Sequence, residues 1–240
     1  MPEQSGPVQP PQQPGLQPIV LSYLDLRKAV GMIGVALPFV LAIGKIVTAN
    51  PELQRPLLQI SVSCYYCTDM RNVFVASMCV VGAFLISTRG YDRQDVIAGI
   101  LAGVFALGVA FFPTSPCTEI SACAGAASCA GAASGLDFIG ALHLLFAALL
   151  FLTFAYFSLF LFTKTDPTRN PTRQKRYRNM VYRACGYTIV ACILLIAAAR
   201  VFLPKPVVDH LDLVFWLEAL AIVSFGVSWL TKGETILKDA

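Results

Sequence analysis

The residues through which this chain could do chemistry are ionisable side chains that interrupt or border long apolar runs. Asp69, Arg71 and Asn72 stand together before one such run, and His143 lies just inside another that opens after Asp137. Asp209, His210 and Asp212 flank the start of a third, and Glu218 lies roughly 10 Å into it at 1.5 Å per residue. Such groups are costly in hydrocarbon, so each is a candidate for function. Asp69, Arg71, Asn72, His143 and Glu218 would suit one polar pocket for a lipid headgroup, a small solute or an ion. Within it, a buried pair between Arg71 and Glu218 would be the simplest way to tolerate both charges. His143 and His210 with carboxylates such as Asp69 would suit Zn²⁺ with a position open for water. No local spacing such as HExxH supports that ligand set, so its members would have to come from separate helices. The structural alternative is that Arg71 and Glu218 only set helix register and that His143 is satisfied by a carbonyl.

The elements that must position these groups are membrane spans. The chain has 240 residues, 56% hydrophobic and only 13% charged, with a mean hydropathy of +0.67. Soluble domains carry about 25% charged residues, so the composition belongs to a lipid solvent. Six apolar runs are long enough to span as helices, at about 29–49, 72–90, 95–113, 137–163, 181–203 and 211–231. Alternating β-barrel patterning is absent, and only helices then satisfy their own backbone groups in lipid. The expected fold is an all-α bundle of six transmembrane helices. Residues 1–21, rich in Pro and Gln, are expected to form a disordered cytoplasmic tail.

Charge sets the expected orientation. Lys164 to Arg183 carries seven cations against one acid, Asp166, and this basic loop belongs on the cytoplasmic side. With both termini inside, thirteen of the 18 Lys and Arg residues fall on the cytoplasmic side, and the loop 114–136 has none. The basic loop therefore implies anionic lipid headgroups rather than nucleic acid. Arg178, Asn179, Tyr182 and Arg183 fall on one stripe entering the fifth span, where they would bind phosphate or pair with Asp92 and Asp95. Segment 50–71 is too short to span and is expected at the outer interface. Gly99 and Gly103 form a GxxxG face, suited to close packing within the chain or to a homo-oligomer.

This topology places Cys64, Cys67, Cys117, Cys123 and Cys129 outside, where thiols meet an oxidising environment. A disulfide from Cys64 or Cys67 to Cys117 is the expected arrangement. Cys64-Tyr-Tyr-Cys67 lacks the βαβ context of a redox motif and the second CxxC of a zinc site. Residues 123–128 and 129–134 repeat CAGAAS in tandem and read as a flexible insertion in the external loop.

Thr68-Asp-Met-Arg-Asn-Val-Phe-Val75, Arg89-Gly-Tyr-Asp92 and Trp216-Leu-Glu218 with Phe225 to Glu234 resemble a family of bacterial multi-pass membrane proteins of uncharacterised activity. That resemblance implies the inner, or plasma, membrane. More distantly, the chain is similar to the CREST membrane hydrolases, which implies a seven-helix bundle holding Zn with three His, an Asp and a Ser. Asp69 and Ser63 or Ser77 would correspond to the last two. The chain departs in having six clear runs, two His and no HxxxH, which puts zinc in doubt. The leading expectation is a membrane protein that needs no cofactor and binds its ligand from the outer side for sensing or transport. The alternatives are a metal-dependent intramembrane hydrolase of lipid amides or esters, and a structural or partner-binding subunit.

Overall fold

A computed structural model describes residues 16–48, 58–88, 92–114, 136–165 and 172–233. Among them every regular element is helical: α1 (Leu16–Thr48), a 3-10 turn (Ser63–Cys67), α2 (Arg71–Ser87), α3 (Arg93–Phe111), α4 (Leu136–Tyr156) extended by a π turn (Phe157–Leu161), α5 (Arg173–Phe202), α6 (Lys205–His210) and α7 (Leu213–Lys232). Five of these helices, α1, α3, α4, α5 and α7, are long and apolar enough to cross a membrane. The chain is thus an all-helical, multi-pass membrane protein. At 17 residues α2 is apolar but shorter. It rises about 25 Å, against a hydrocarbon core of about 30 Å. The run expected at 72–90 therefore stops as a helix at Ser87.

Other bounds also shift. Helix α1 begins at Leu16, so the segment expected to be a disordered tail is helical over 16–21, while 1–15 lie outside the described residues. Helix α5 begins at Arg173, within the basic loop, because the Thr172 hydroxyl accepts from the Lys175 N–H at 3.1 Å and caps its first turn. The external loop with its CAGAAS repeats lies outside the described residues from 115 to 135.

Helices adjacent in sequence are adjacent in space, and the last closes on the first: α1 packs on α2, α2 on α3, α3 on α4, α4 on α5, α5 on α7, and α7 on α1. One ring results, with its core inside and Val47, Phe111, Phe138, Val201 and Phe202 facing outward as a lipid-compatible surface. Gly99 and Gly103 do not form an outer face. A β-carbon on Gly103 would lie 2.6 Å from the Gly82 carbonyl oxygen, and one on Gly99 would lie 2.9 Å from that of Leu85. The GxxxG face therefore packs on α2 of the same chain, the first of the two uses that its spacing allows.

An aromatic layer locks α4, α5 and α7 together. Phe154 stacks on Phe225 at 3.4 Å, and Trp229 receives both Phe157 (5.7 Å) and Phe162 (5.2 Å). In a regular α-helix, residues five apart point about 140° apart. The π turn, closed by Phe162 N–H donating to the Phe157 carbonyl at 2.9 Å, brings both rings to one side. It also lets the buried Ser158 hydroxyl donate to that of Ser228 at 3.0 Å.

At the same end, Lys164 donates to Asp92 and Asp95, each at 3.0 Å, tying the end of α4 to the start of α3. Slight burial works against its charge, but the two carboxylates outweigh this and hold the ammonium above the ordinary lysine range. The pairs are largely solvent-exposed, so Lys164→Ala is expected to cost at most about 1 kcal/mol. A larger loss in thermal unfolding would mean that the network is shielded from solvent.

Candidate functional site

Segment 58–67 is the irregular part of the fold that matters most. It is too short to span, and Gln59, Ser61, Val62 and all of Cys64–Cys67 are buried. Lipid does not tolerate irregular backbone, so such a segment persists only where protein satisfies its polar groups. Helix α7 does this twice. The Phe215 N–H, an orphan donor of the first turn, donates to the Ile60 carbonyl at 3.1 Å. The Val62 N–H in turn donates to the Glu218 carboxylate at 2.7 Å. Asp212 precedes α7 in a left-handed conformation, φ 46°, and re-aims the chain from α6 into the helix. The Ser61 hydroxyl closes the segment on itself, accepting from the Cys64 N–H at 3.2 Å.

Glu218 also lines a cavity of about 50 Å³ inside the ring, with Val62, Ser63, Phe74, Val81 and Phe154 among its other walls. Most walls are aliphatic or aromatic. A volume of that size admits about three or four waters, or one small cation with part of its hydration.

The remaining expected site residues are distributed elsewhere. Asp69, Arg71 and Asn72 are exposed around the start of α2. Arg71 does not reach Glu218. Its guanidinium donates to the Tyr66 hydroxyl at 3.0 Å and lies 4.6 Å from the centre of that ring. The pair expected between Arg71 and Glu218 is thus replaced by two separate contacts to segment 58–67. His143 is 3% exposed, and its Nδ1 lies 2.7 Å from the Phe112 carbonyl, joining the end of α3 to the start of α4. Its Nε2 is buried without a hydrogen-bond partner. His210 is exposed at the end of α6. His143, His210 and Asp69 are not brought together, and among the described residues no three His, Cys, Asp or Glu side chains converge on a metal-sized site.

Of the two cysteines expected to pair, Cys64 is disulfide-bonded and Cys67 carries a thiol. Cys117, the expected partner, lies outside the described residues.

Sequence reasoning missed Val62, because a backbone N–H has no signature in a sequence. The available signal was a ten-residue apolar and hydroxylated segment, too short to span, together with an acid in a later span. No protein-family model, curated protein sequence or solved structure matches the chain. The functional reading therefore rests on this geometry.

Proposed function

We propose that this chain is a six-span protein of the bacterial inner membrane, with both termini cytoplasmic, that binds a small cation at Glu218 for sensing or transport. Helix α2 is the sixth span, at the lower length limit of about 17 residues. The excess of Lys and Arg on the side of the basic loop supports the orientation. So does the Cys64 disulfide at the opposite end, since disulfides persist in oxidising compartments.

The observation that carries the function is a carboxylate at the wall of a cavity of about 50 Å³ inside a membrane bundle. Intramembrane carboxylates in cavities mark ion and proton pathways. The size favours a small cation over a lipid headgroup, and the apolar walls leave Glu218 and Ser63 as the groups able to hold it. A structural role has its own support in the Val62 contact, because Glu218 caps buried backbone.

The two readings separate in Glu218→Gln, which keeps an acceptor for Val62 but removes the charge. The purified protein is treated with a hydrophobic carbodiimide in the presence of sodium, potassium or ammonium ions. Cation binding at Glu218 predicts wild-type labelling at that residue, suppressed by at least one of the three ions, and a thermal shift with that ion which Glu218→Gln lacks. Labelling that no ion changes, together with equal thermal shifts in both proteins, would leave the structural role alone.

A further inference from the structure

Helix α1 carries Pro38 inside its regular run, and the proline is fully buried. Proline has no N–H, so the bond that residue 38 would donate to the Gly34 carbonyl, one helical turn back, cannot form. The proline ring also crowds that carbonyl. Gly34 is itself buried, and among the described residues no donor from outside α1 replaces the missing one. Away from water, a carbonyl oxygen left over by a helix needs a partner from the protein or from what the protein binds.

Gly34 is also one of the walls of the Glu218 cavity. It has no side chain, so the atoms it presents there are backbone. On the side where a side chain would stand, α7 comes close. A β-carbon on Gly34 would lie 3.2 Å from the Gly226 Cα and 3.7 Å from the Ile222 carbonyl oxygen. Ile222 lines the same cavity, about one helical turn after Glu218. The backbone of α1 at its proline break and the carboxylate of α7 therefore border one space.

Glu218 and Ser63 bring side-chain oxygens to that space. Carbonyls released by interrupted membrane helices coordinate Na⁺ in transporters, and carbonyl oxygens replace part of an ion's hydration shell in channel filters. A carbonyl also adds a dipole without adding a second charge to bury. We propose that the Gly34 carbonyl, released by Pro38, is a ligand of the Glu218 site and makes it a site for an alkali cation held by oxygens alone. This inference rests on the reading of Glu218 as a cation site.

The test restores the missing N–H and leaves Glu218 untouched. Pro38→Ala gives residue 38 a donor that occupies the Gly34 carbonyl. Carbodiimide labelling of Glu218 is followed in the full chain while sodium, potassium or ammonium chloride is titrated, with choline chloride holding the ionic strength constant. Sodium or potassium is expected to protect the wild type. Pro38→Ala should need about tenfold more of the same ion for half protection, the worth of one bond to a charged group. A proline that only bends α1 would alter the melting temperature and leave the half-protecting concentration where it was. If Pro38→Ala does not fold, Pro38→Gly supplies the same N–H and tolerates the bend. Failure of the Glu218 reading shows as wild-type labelling that no ion changes, and this inference falls with it. Failure of this inference alone shows as ion protection with the same half-protecting concentration in wild type and in the folded variant. Protection by ammonium alone would also overturn it, since the proposed oxygen ligands serve an alkali cation.

Discussion

Glu218→Ala is expected to destabilise the protein by about 1–3 kcal/mol, the cost of leaving a buried donor unsatisfied. The donor is the Val62 N–H, held at 2.7 Å from the carboxylate in a segment most of whose residues are buried. Removing the side chain also enlarges the cavity beside it, and lost packing adds to the penalty. Glu218→Gln retains an acceptor and should cost about 1 kcal/mol, near the net worth of one hydrogen bond. The buried thiols Cys67, Cys185 and Cys192 allow a direct reading, because a thiol-reactive dye reports their exposure on heating. An alanine variant within a few tenths of a kcal/mol of wild type, roughly, would mean that water reaches Val62 and that Glu218 is no cap.

The second large effect is expected at the crossing of α1 and α7. A β-carbon on Gly226 would lie 2.7 Å from the Val35 backbone nitrogen and 2.8 Å from the Gly31 carbonyl oxygen. Both are backbone atoms of another helix, so α1 and α7 must move apart. Alanine gains about 1 kcal/mol of helix propensity over glycine, whereas overpacking costs about 1–3 kcal/mol. With no side chain to yield, the cost at Gly226 should reach the top of that range, leaving a net loss of about 2 kcal/mol. Gly44 is the control. Its β-carbon would meet the flexible Met70 side chain, with the nearest contact at the sulfur. There propensity offsets the crowding, and Gly44→Ala should be near neutral. Equal losses at both positions by the same thermal assay would refute the backbone-contact argument.

Much of the fold was legible because lipid imposes simple demands on a chain. The apolar run expected at about 95–113 is α3, Arg93–Phe111, and that at about 211–231 is α7, Leu213–Lys232. Both agree within two residues, since hydrophobic length and helix length are the same quantity in a bilayer. Agreement fails where other forces act. Helix α5 starts well before its apolar run, because the Thr172 cap and good helix formers such as Arg and Lys extend it through the basic loop. The π turn at Phe157–Leu161 has no sequence signal, being set by what Phe157 and Phe162 must pack against.

The site was legible only in part. Glu218 stood out as an acid deep in an apolar run, and Arg71 was the natural partner by charge. The carboxylate instead serves a backbone N–H, and Arg71 serves Tyr66. Gly34 and Glu218 lie far apart in sequence, and only the closing of α7 on α1 brings them to one cavity.

By itself the sequence determined the solvent, the helical class and the charge asymmetry, because these follow from composition and the length of apolar runs. The tertiary structure decided which polar group meets which. Hydrogen bonds act over about 3 Å, and that proximity exists only once segment 58–67 has folded against α7.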